Sequence, residues 1–303
     1  MYDRHWFGEL GNGADADATT ARLAAAVGKA CDLKPFPAAA QEVMRVLSHP
    51  EFEMHAITRA IERDPALATR LLRVANSALF RSSLPCDSID MAVVRLGGHT
   101  IGEIVAGVAA MEMFGEQTGI SARLRNHCVG VAAIARSLGN HFRFVGVPQL
   151  FLCGLVHDVG SLIMLQSRDL DYDALPPEAL AQVDQLHRYE RQVLDFDHAV
   201  LGAYIMDMWQ IPYPVSAVVA WHHQPEQAHV DGNEIALMVE ILRLADTLEH
   251  HMQVVREPDE GLLEALIQER ACSLLGISAS DIRDVWPQLL DAQREAAELL
   301  QIG

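Results

Sequence analysis

The segment Phe151-Leu-Cys-Gly-Leu-Val-His-Asp-Val-Gly-Ser-Leu-Ile-Met-Leu165 decides how this chain is read. Two ionisable residues, His157 and Asp158, stand inside an otherwise apolar run. If buried, such groups must be paired, hydrogen-bonded or metal-bound. On one regular helix, adjacent side chains point about 100° apart. At a helix end or bend they can converge, and Gly160 permits such a break. A helix is therefore expected over Pro148–Val156, with the dipeptide just past its end. The run also argues against a membrane span. A transmembrane helix needs about 18–20 uninterrupted residues, whereas His157 and Asp158 break this run and Glu103 and Glu112 break Ile101–Phe114.

Outward from this segment, apolar residues recur at three- and four-residue steps, and no stretch sustains period-two alternation. Leu23, Val27 and Ala30 start one stripe; Val43, Val46 and Leu47 follow the Pro35–Pro37 break. Asp64-Pro65 reads as an N-cap with proline in the first turn, opening Pro65–Ala75 with Leu67, Leu71, Leu72 and Ala75 inward. Asp87 or Ser88 caps a short helix through Leu96, and Gly97-Gly98 stops it. Further helices are expected over Thr100–Phe114, Ser121–His141, Pro177–Phe196, His198–Trp209, Pro214–His222, Asn233–Met252, Glu260–Leu275 and Asp281–Leu300. The class is all-α, a smaller N-terminal helical layer on a larger bundle. The composition seams are Leu84–Ser88 and Gln253–Asp259.

The 303 residues carry 23 basic and 41 acidic side chains, a net charge of −18, and 14 histidines. That charge argues against a nucleic-acid partner bound by phosphate neutralisation and against an anionic membrane surface. Half the residues are apolar, enough for a large core rather than a disordered chain. Cys31, Cys86, Cys128, Cys153 and Cys272 are far apart with no C-x-x-C pair, which suits neither a disulfide framework nor a thiolate zinc site. The first twenty residues are acidic and glycine-rich without an apolar h-region, so no signal peptide is expected and the location is read as cytoplasmic.

Metal-capable residues form an ordered series in the second half: His127, His157-Asp158, His198, His222-His223 and Asp246. Imidazole and carboxylate together suit Mn, Fe, Zn or Mg rather than the thiolate metals. Asp246 also interrupts an apolar run, Ile241-Leu-Arg-Leu-Ala. Ligands from several helices are how bundle cores build metal sites. The same residues equally suit a hydrogen-bonded pair, His157 with Asp158, that ties two helices. Glu190 reads either as a carboxylate orienting a ligand histidine or as part of a solvated helix face. Asn76-Ser77 reads as a helix stop with a side chain bonding local backbone. Trp209 with Pro212 is expected to close a helix by packing, and His250-His251 to lie at the surface. The Glu260–Gln301 tail is amphipathic and expected to dock on its own core.

Several motifs resemble, in order, those of the HDOD family, the HD-related output domains of bacterial signalling. They are Leu33-Lys-Pro-Phe-Pro; Arg63-Asp-Pro-Ala-Leu-Ala-Thr-Arg-Leu-Leu-Arg-Val-Ala-Asn-Ser-Ala-Leu-Phe; Ala92-Val-Val-Arg-Leu-Gly; Gly154-Leu-Val-His-Asp-Val-Gly; Glu190 with Asp197-His198-Ala-Val-Leu-Gly-Ala; Trp209-Gln-Ile-Pro; and His222-His223-Gln-Pro. The resemblance spans roughly residues 33 to 250. It implies an all-α, multi-helix HD-like bundle with a smaller N-terminal helical subdomain. The implied division is 1–32 as an N-terminal extension and helix, 33–98 as the N-terminal subdomain, 99–255 as the HD-like subdomain and 256–303 as C-terminal helices packed on the bundle. It also implies kinship with HD phosphohydrolases, whose ligand order is His, His-Asp, Asp, and with the HD-GYP cyclic-dinucleotide phosphodiesterases, which add a His and a His-His pair. Carried over, His127, His157, Asp158 and Asp246 are primary ligands, and His198, His222 and His223 candidates for a second ion. The cofactor implied is a divalent metal (Fe, Mn, Zn, Ni or Mg), with no organic cofactor.

Three departures bear on activity. Ser161 stands where the phosphodiesterases commonly carry a lysine, which removes a cation that could neutralise phosphate charge. No Gly-Tyr-Pro follows His222-His223. Arg123 stands where some trinuclear members have a glutamate. These argue against cyclic di-GMP hydrolysis. Two functions are therefore carried forward: a regulatory module contacting a separate signalling protein, and a metal-dependent phosphohydrolase with one or two ions. The sequence leaves the oligomeric state open.

Overall fold

Helix starts in this chain are set by short polar residues and prolines. The Asp64 carboxylate accepts from the backbone N–H groups of Ala66 and Leu67 and so caps Pro65–Ala75 (α4). Pro65 occupies the first turn, where an N–H is not needed. Leu67, Leu71, Val74 and Ala75 face inward, with Leu72 half-buried. Ser88 caps Ile89–Leu96 (α5) by accepting from Met91 N–H. Gly97, at φ +83°, then turns the chain by 117° into Gly98–Met113 (α6). Of the glycine pair expected to stop α5, Gly97 makes the turn and Gly98 already opens the next helix.

The structure, a computed structural model, describes residues 6, 16–33, 36–49, 51–77, 79–80, 85–113, 119–144, 147–167, 183–229 and 232–300. Among them the regular elements are helices and no strand occurs. Gly119–His141 (α7) is the central one, packed against Val147–Val156 (α8), Asn233–Met252 (α14) and Ala279–Leu300 (α17). In the N-terminal layer Ala38–Leu47 (α2), α4 and α5 pack on α6, Met54–Glu62 (α3) packs against those three, and α6 also packs on α8. Val159–Ser167 (α9) lies on His198–Met208 (α11), and Ala16–Leu33 (α1) crosses both; Tyr213–Trp221 (α12) packs on α11. Val183–Leu194 (α10) and Pro225–Ala228 (α13) sit beside α11 and α14 respectively, and Glu260–Leu266 (α15) and Arg270–Leu275 (α16) lead into α17. This is an all-α, multi-helix bundle with a smaller N-terminal helical part.

One apolar cluster runs through both parts, from Trp6 to Leu300. At their junction Phe80 meets Phe151 edge-on at 5.0 Å, and Arg136 of α7 lies 3.6 Å over the Phe80 ring while its Nε donates to Leu79 O at 2.7 Å. Trp209 stacks on Phe36 at 4.6 Å, so the first and the Trp-Gln-Ile-Pro motifs touch. The window Gln149–Gln166 is apolar enough to cross a membrane, with mean hydropathy 1.3, but 83% of it is buried inside the fold. It holds the α8–α9 corner. Cys86, Cys128, Cys153 and Cys272 are buried free thiols.

Two local expectations change. The helix read over Glu260–Leu275 is two, α15 and α16. Its buried residues Leu263 and Leu266 are followed by Ala271 and Cys272, a spacing one continuous helix would spread around its surface. Asn76 bonds not its local backbone but a loop ten residues on: its amide donates to Cys86 O at 2.7 Å and its oxygen accepts from Cys86 N–H at 2.6 Å. Ser77 makes the local bond, to Val74 O. The helix start expected at Pro177 and the Lys34-Pro35 step lie outside the described residues.

Candidate metal centre

Helix ends bring the polar groups together. The chain leaves α8 at Val156, and His157 and Asp158 form the corner before α9. Two glycines set that corner by close approach. A Cβ on Gly154 would lie 2.4 Å from Ala132 Cα, and one on Gly160 would lie 2.1 Å from His198 O. The first lets α8 pack backbone-to-backbone on α7, which carries His127. The second brings the start of α9 against the start of α11, where His198 is the first helical residue after the Asp197 cap. His222 closes α12 as its C-cap, with His223 next in the turn. Asp246 projects from α14.

His157, Asp158, His198, His222 and Asp246 are buried, and His127 and His223 are half-buried. They form two groups whose candidate ligand atoms lie within 4.8 Å of one another: His127, His157 and Asp246; and Asp158, His198, His222 and His223. Asp158 also faces the first group, with Oδ2 3.4 Å from His157 Nε2 and 4.0 Å from His127 Nε2. Its other oxygen is 3.1 Å from His198 Nε2 and 3.8 Å from His222 Nε2. One carboxylate therefore spans both groups.

Each ring's outer nitrogen shows which way the ring is used. His157 Nδ1 lies 2.8 Å from Gly154 O and His222 Nδ1 2.6 Å from Val219 O. His198 Nδ1 lies 2.6 Å from Glu190 Oε2, and His127 Nδ1 2.6 Å from Glu249 Oε2. Carbonyl and carboxylate oxygens accept, so in all four rings Nδ1 carries a proton and Nε2 is the atom turned inward. Inside, His198 Nε2 is 2.9 Å from His223 Nε2 and 3.4 Å from His222 Nε2. Two imidazole nitrogens this close are held together only when a proton or another cation lies between them.

Charge points the same way. Asp158, Glu190, Asp246 and Glu249 bury four carboxylates in one place. Burial opposes ionisation of Asp158, yet His157, His198 and His127 around it hold its carboxyl well below the usual range. Burial also opposes protonation of His127, but Asp246 and Glu249 outweigh it and raise the ring. Glu190 and Asp158 do the same for His198. Burial and the neighbouring rings push His222 and His223 down, to neutral imidazoles. Asp246 Oδ1 is buried and has His127 Nε2 as its near neighbour, at 3.0 Å.

Two groups escape the sequence pattern. Glu249, three residues after Asp246 and so on the same helix face, holds His127. His187 of α10 stacks on His223 at 4.1 Å; only its spacing from Glu190 marks it. Glu190 is fully buried and also accepts from His198 N–H at 2.8 Å and from the Ser161 hydroxyl at 3.4 Å. His250 and His251 belong to neither ligand group and face each other edge-on at 6.2 Å.

A family model described as the HDOD domain matches residues 33–225. An uncharacterised protein of Treponema pallidum (strain Nichols) is 24% identical over 217 residues, 67% of this chain; the chain spans only 40% of that relative's length. Among solved structures, a candidate phosphohydrolase of Shewanella amazonensis SB2B superposes with a TM-score of 0.68 at 22% identity, covering 91% of this chain and 98% of that one. An HDOD domain protein of unknown function from Geobacter sulfurreducens gives 0.66 at 18% identity, covering 93% and 99%. A candidate metal-dependent phosphohydrolase of Shewanella amazonensis SB2B gives 0.63 at 21% identity, covering 94% and 100%. At these identities the likeness is one of fold.

Proposed function

Because the chain belongs to the HDOD family, we propose that it is a bacterial signalling module that retains a two-ion His/Asp centre and acts through contacts with a separate signalling protein. The donor set fits divalent metal. Atoms sharing an ion at about 2.1 Å sit about 3.0–3.4 Å apart, near the separations of His127 Nε2 from Asp246 and of His198 Nε2 from Asp158. His127, His157, Asp158 and Asp246 would hold one ion, and Asp158, His198, His222 and His223 the other. Two divalent ions also match the four buried carboxylates in charge, which supports this reading over one in which imidazolium protons alone balance them. When bound, such a pair can lower the pKa of a water and polarise a phosphoryl oxygen.

One observation carries the regulatory reading over the catalytic one. Ser161, where the related phosphodiesterases carry a lysine, is fully buried and spent on Glu190. The chain's own groups can orient ligands and exclude water; at this position they supply no cation for a phosphate. The completeness of the seven-residue set favours the second reading, a metal-dependent phosphohydrolase. Elemental analysis of the purified chain should find about two equivalents of Mn, Fe, Zn, Ni or Mg, lost in His157→Ala and Asp158→Ala. Assayed with bis-p-nitrophenyl phosphate and each metal, the loaded protein should turn over no faster than blank. Turnover that vanishes in Asp158→Ala would establish the hydrolase instead, and a metal-free protein insensitive to both substitutions would remove the centre.

A further inference from the structure

The carboxylate behind His127 is itself held from outside the family-matched region. Glu249 Oε2 faces His127 Nδ1 at 2.6 Å. Its Oε1 accepts from the side-chain amide of Gln293 at 3.0 Å. Gln253, in the turn that ends α14, reaches both oxygens at 2.9 and 3.1 Å. Gln293 lies on α17, far beyond residue 225 where the match ends. Gly130, one turn after His127 on α7, opens the slot in which these groups meet. A Cβ there would lie 2.7 Å from Glu249 Cγ, 2.8 Å from its Oε1 and 3.1 Å from Gln293 Nε2.

The chemistry of the donor matters. Arginine or lysine in place of Gln293 would cancel the Glu249 charge, whereas a neutral amide holds the carboxylate and leaves it negative. A charged carboxylate on Nδ1–H fixes the tautomer and makes Nε2 a better ligand, and such outer partners are worth about 10–100-fold in metal affinity. We infer that Gln293 is a positioning residue for His127: through Glu249 it fixes the ring with Nε2 toward Asp246, so the C-terminal helix sets the affinity of one ligand group and not the other. This rests on the two-ion reading above.

The test uses the full chain, stripped of metal and titrated with Mn2+ by calorimetry, with bound metal counted by elemental analysis. The variants are Gln293→Ala, Gly130→Ala and, as an exposed control on the same helix, Gln288→Ala. Wild type and Gln288→Ala should show two binding events. Gln293→Ala and Gly130→Ala should weaken one of them about 10–100-fold and leave the other unchanged. Alanine in a helix carries higher propensity than glycine, so weakening in Gly130→Ala reports the filled slot rather than a frayed helix. A second readout needs no metal: the Nδ1–H proton resonance of His127, identified by its loss in His127→Gln. Gln293→Ala should shift this resonance and quicken its exchange with water, while Gln288→Ala should not. Unchanged binding with an unchanged resonance overturns the inference and leaves the two-ion reading standing. Wild type that binds no Mn2+ overturns the two-ion reading, and the resonance alone then decides whether Gln293 positions His127.

Discussion

Glu103 on α6 illustrates how much a single buried side chain can decide. It is buried with Oε2 taking no hydrogen bond; burial pushes its carboxyl up to about 7, against the pull of the Arg136 guanidinium. Arg136 is in turn drawn down to about 10 by its own burial, with Glu103 opposing. The folded chain therefore keeps the Glu103 proton over a range in which the unfolded chain releases it. Its contribution is fully present below the ordinary carboxyl value of 4.5 and is lost as pH rises toward 7, amounting to about 3 kcal/mol across that window. Glu103→Gln should flatten that slope, so that urea unfolding at pH 5 and pH 8 differs less in the variant than in wild type. An equal slope would mean that Glu103 ionises normally. In the sequence Glu103 shows only as an interruption of an apolar run, because its partner is on another helix. The seven metal-capable residues differ in this respect. Their types and order mark them, and they lie together, whereas Glu249 and Gln293 are ordinary helical polar residues whose roles arise only from the packing of α7, α14 and α17.

At the level of elements, the most legible boundaries are those with local chemistry. Asp64-Pro65, Ser88 and Asn233–Met252 appear where capping and periodicity put them, since the bonds involved span only a few residues. Asp64→Ala should therefore cost about 1 kcal/mol, read as a lower urea midpoint with unchanged slope; a neutral result would mean that tertiary packing alone holds α4. The α8–α9 corner was legible for the same reason, a histidine-aspartate pair followed by glycine. The division of Glu260–Leu275 into two helices was not, because nothing local interrupts it and only the docked positions of Leu263, Leu266, Ala271 and Cys272 do.

For the whole molecule, ions that bind only the native chain add to its stability. At a hundredfold excess over its dissociation constant each contributes about 2.7 kcal/mol. Chelation should thus lower the Tm of the metal-loaded protein by several degrees, and Asp158→Ala should abolish that sensitivity; equal Tm values with and without chelator in wild type would contradict it. The helix α7 links this stability to the rest of the fold. Its His127 faces the centre, its Gly130 admits the C-terminal helix, and its Arg136 grips Leu79 and Phe80 of the N-terminal layer. His127 and Arg136 are separated by about 14 Å of one continuous rod. Because both attachments are on one unbroken helix, the N-terminal layer and the imidazole share a single structural element, and whatever repositions that helix repositions both.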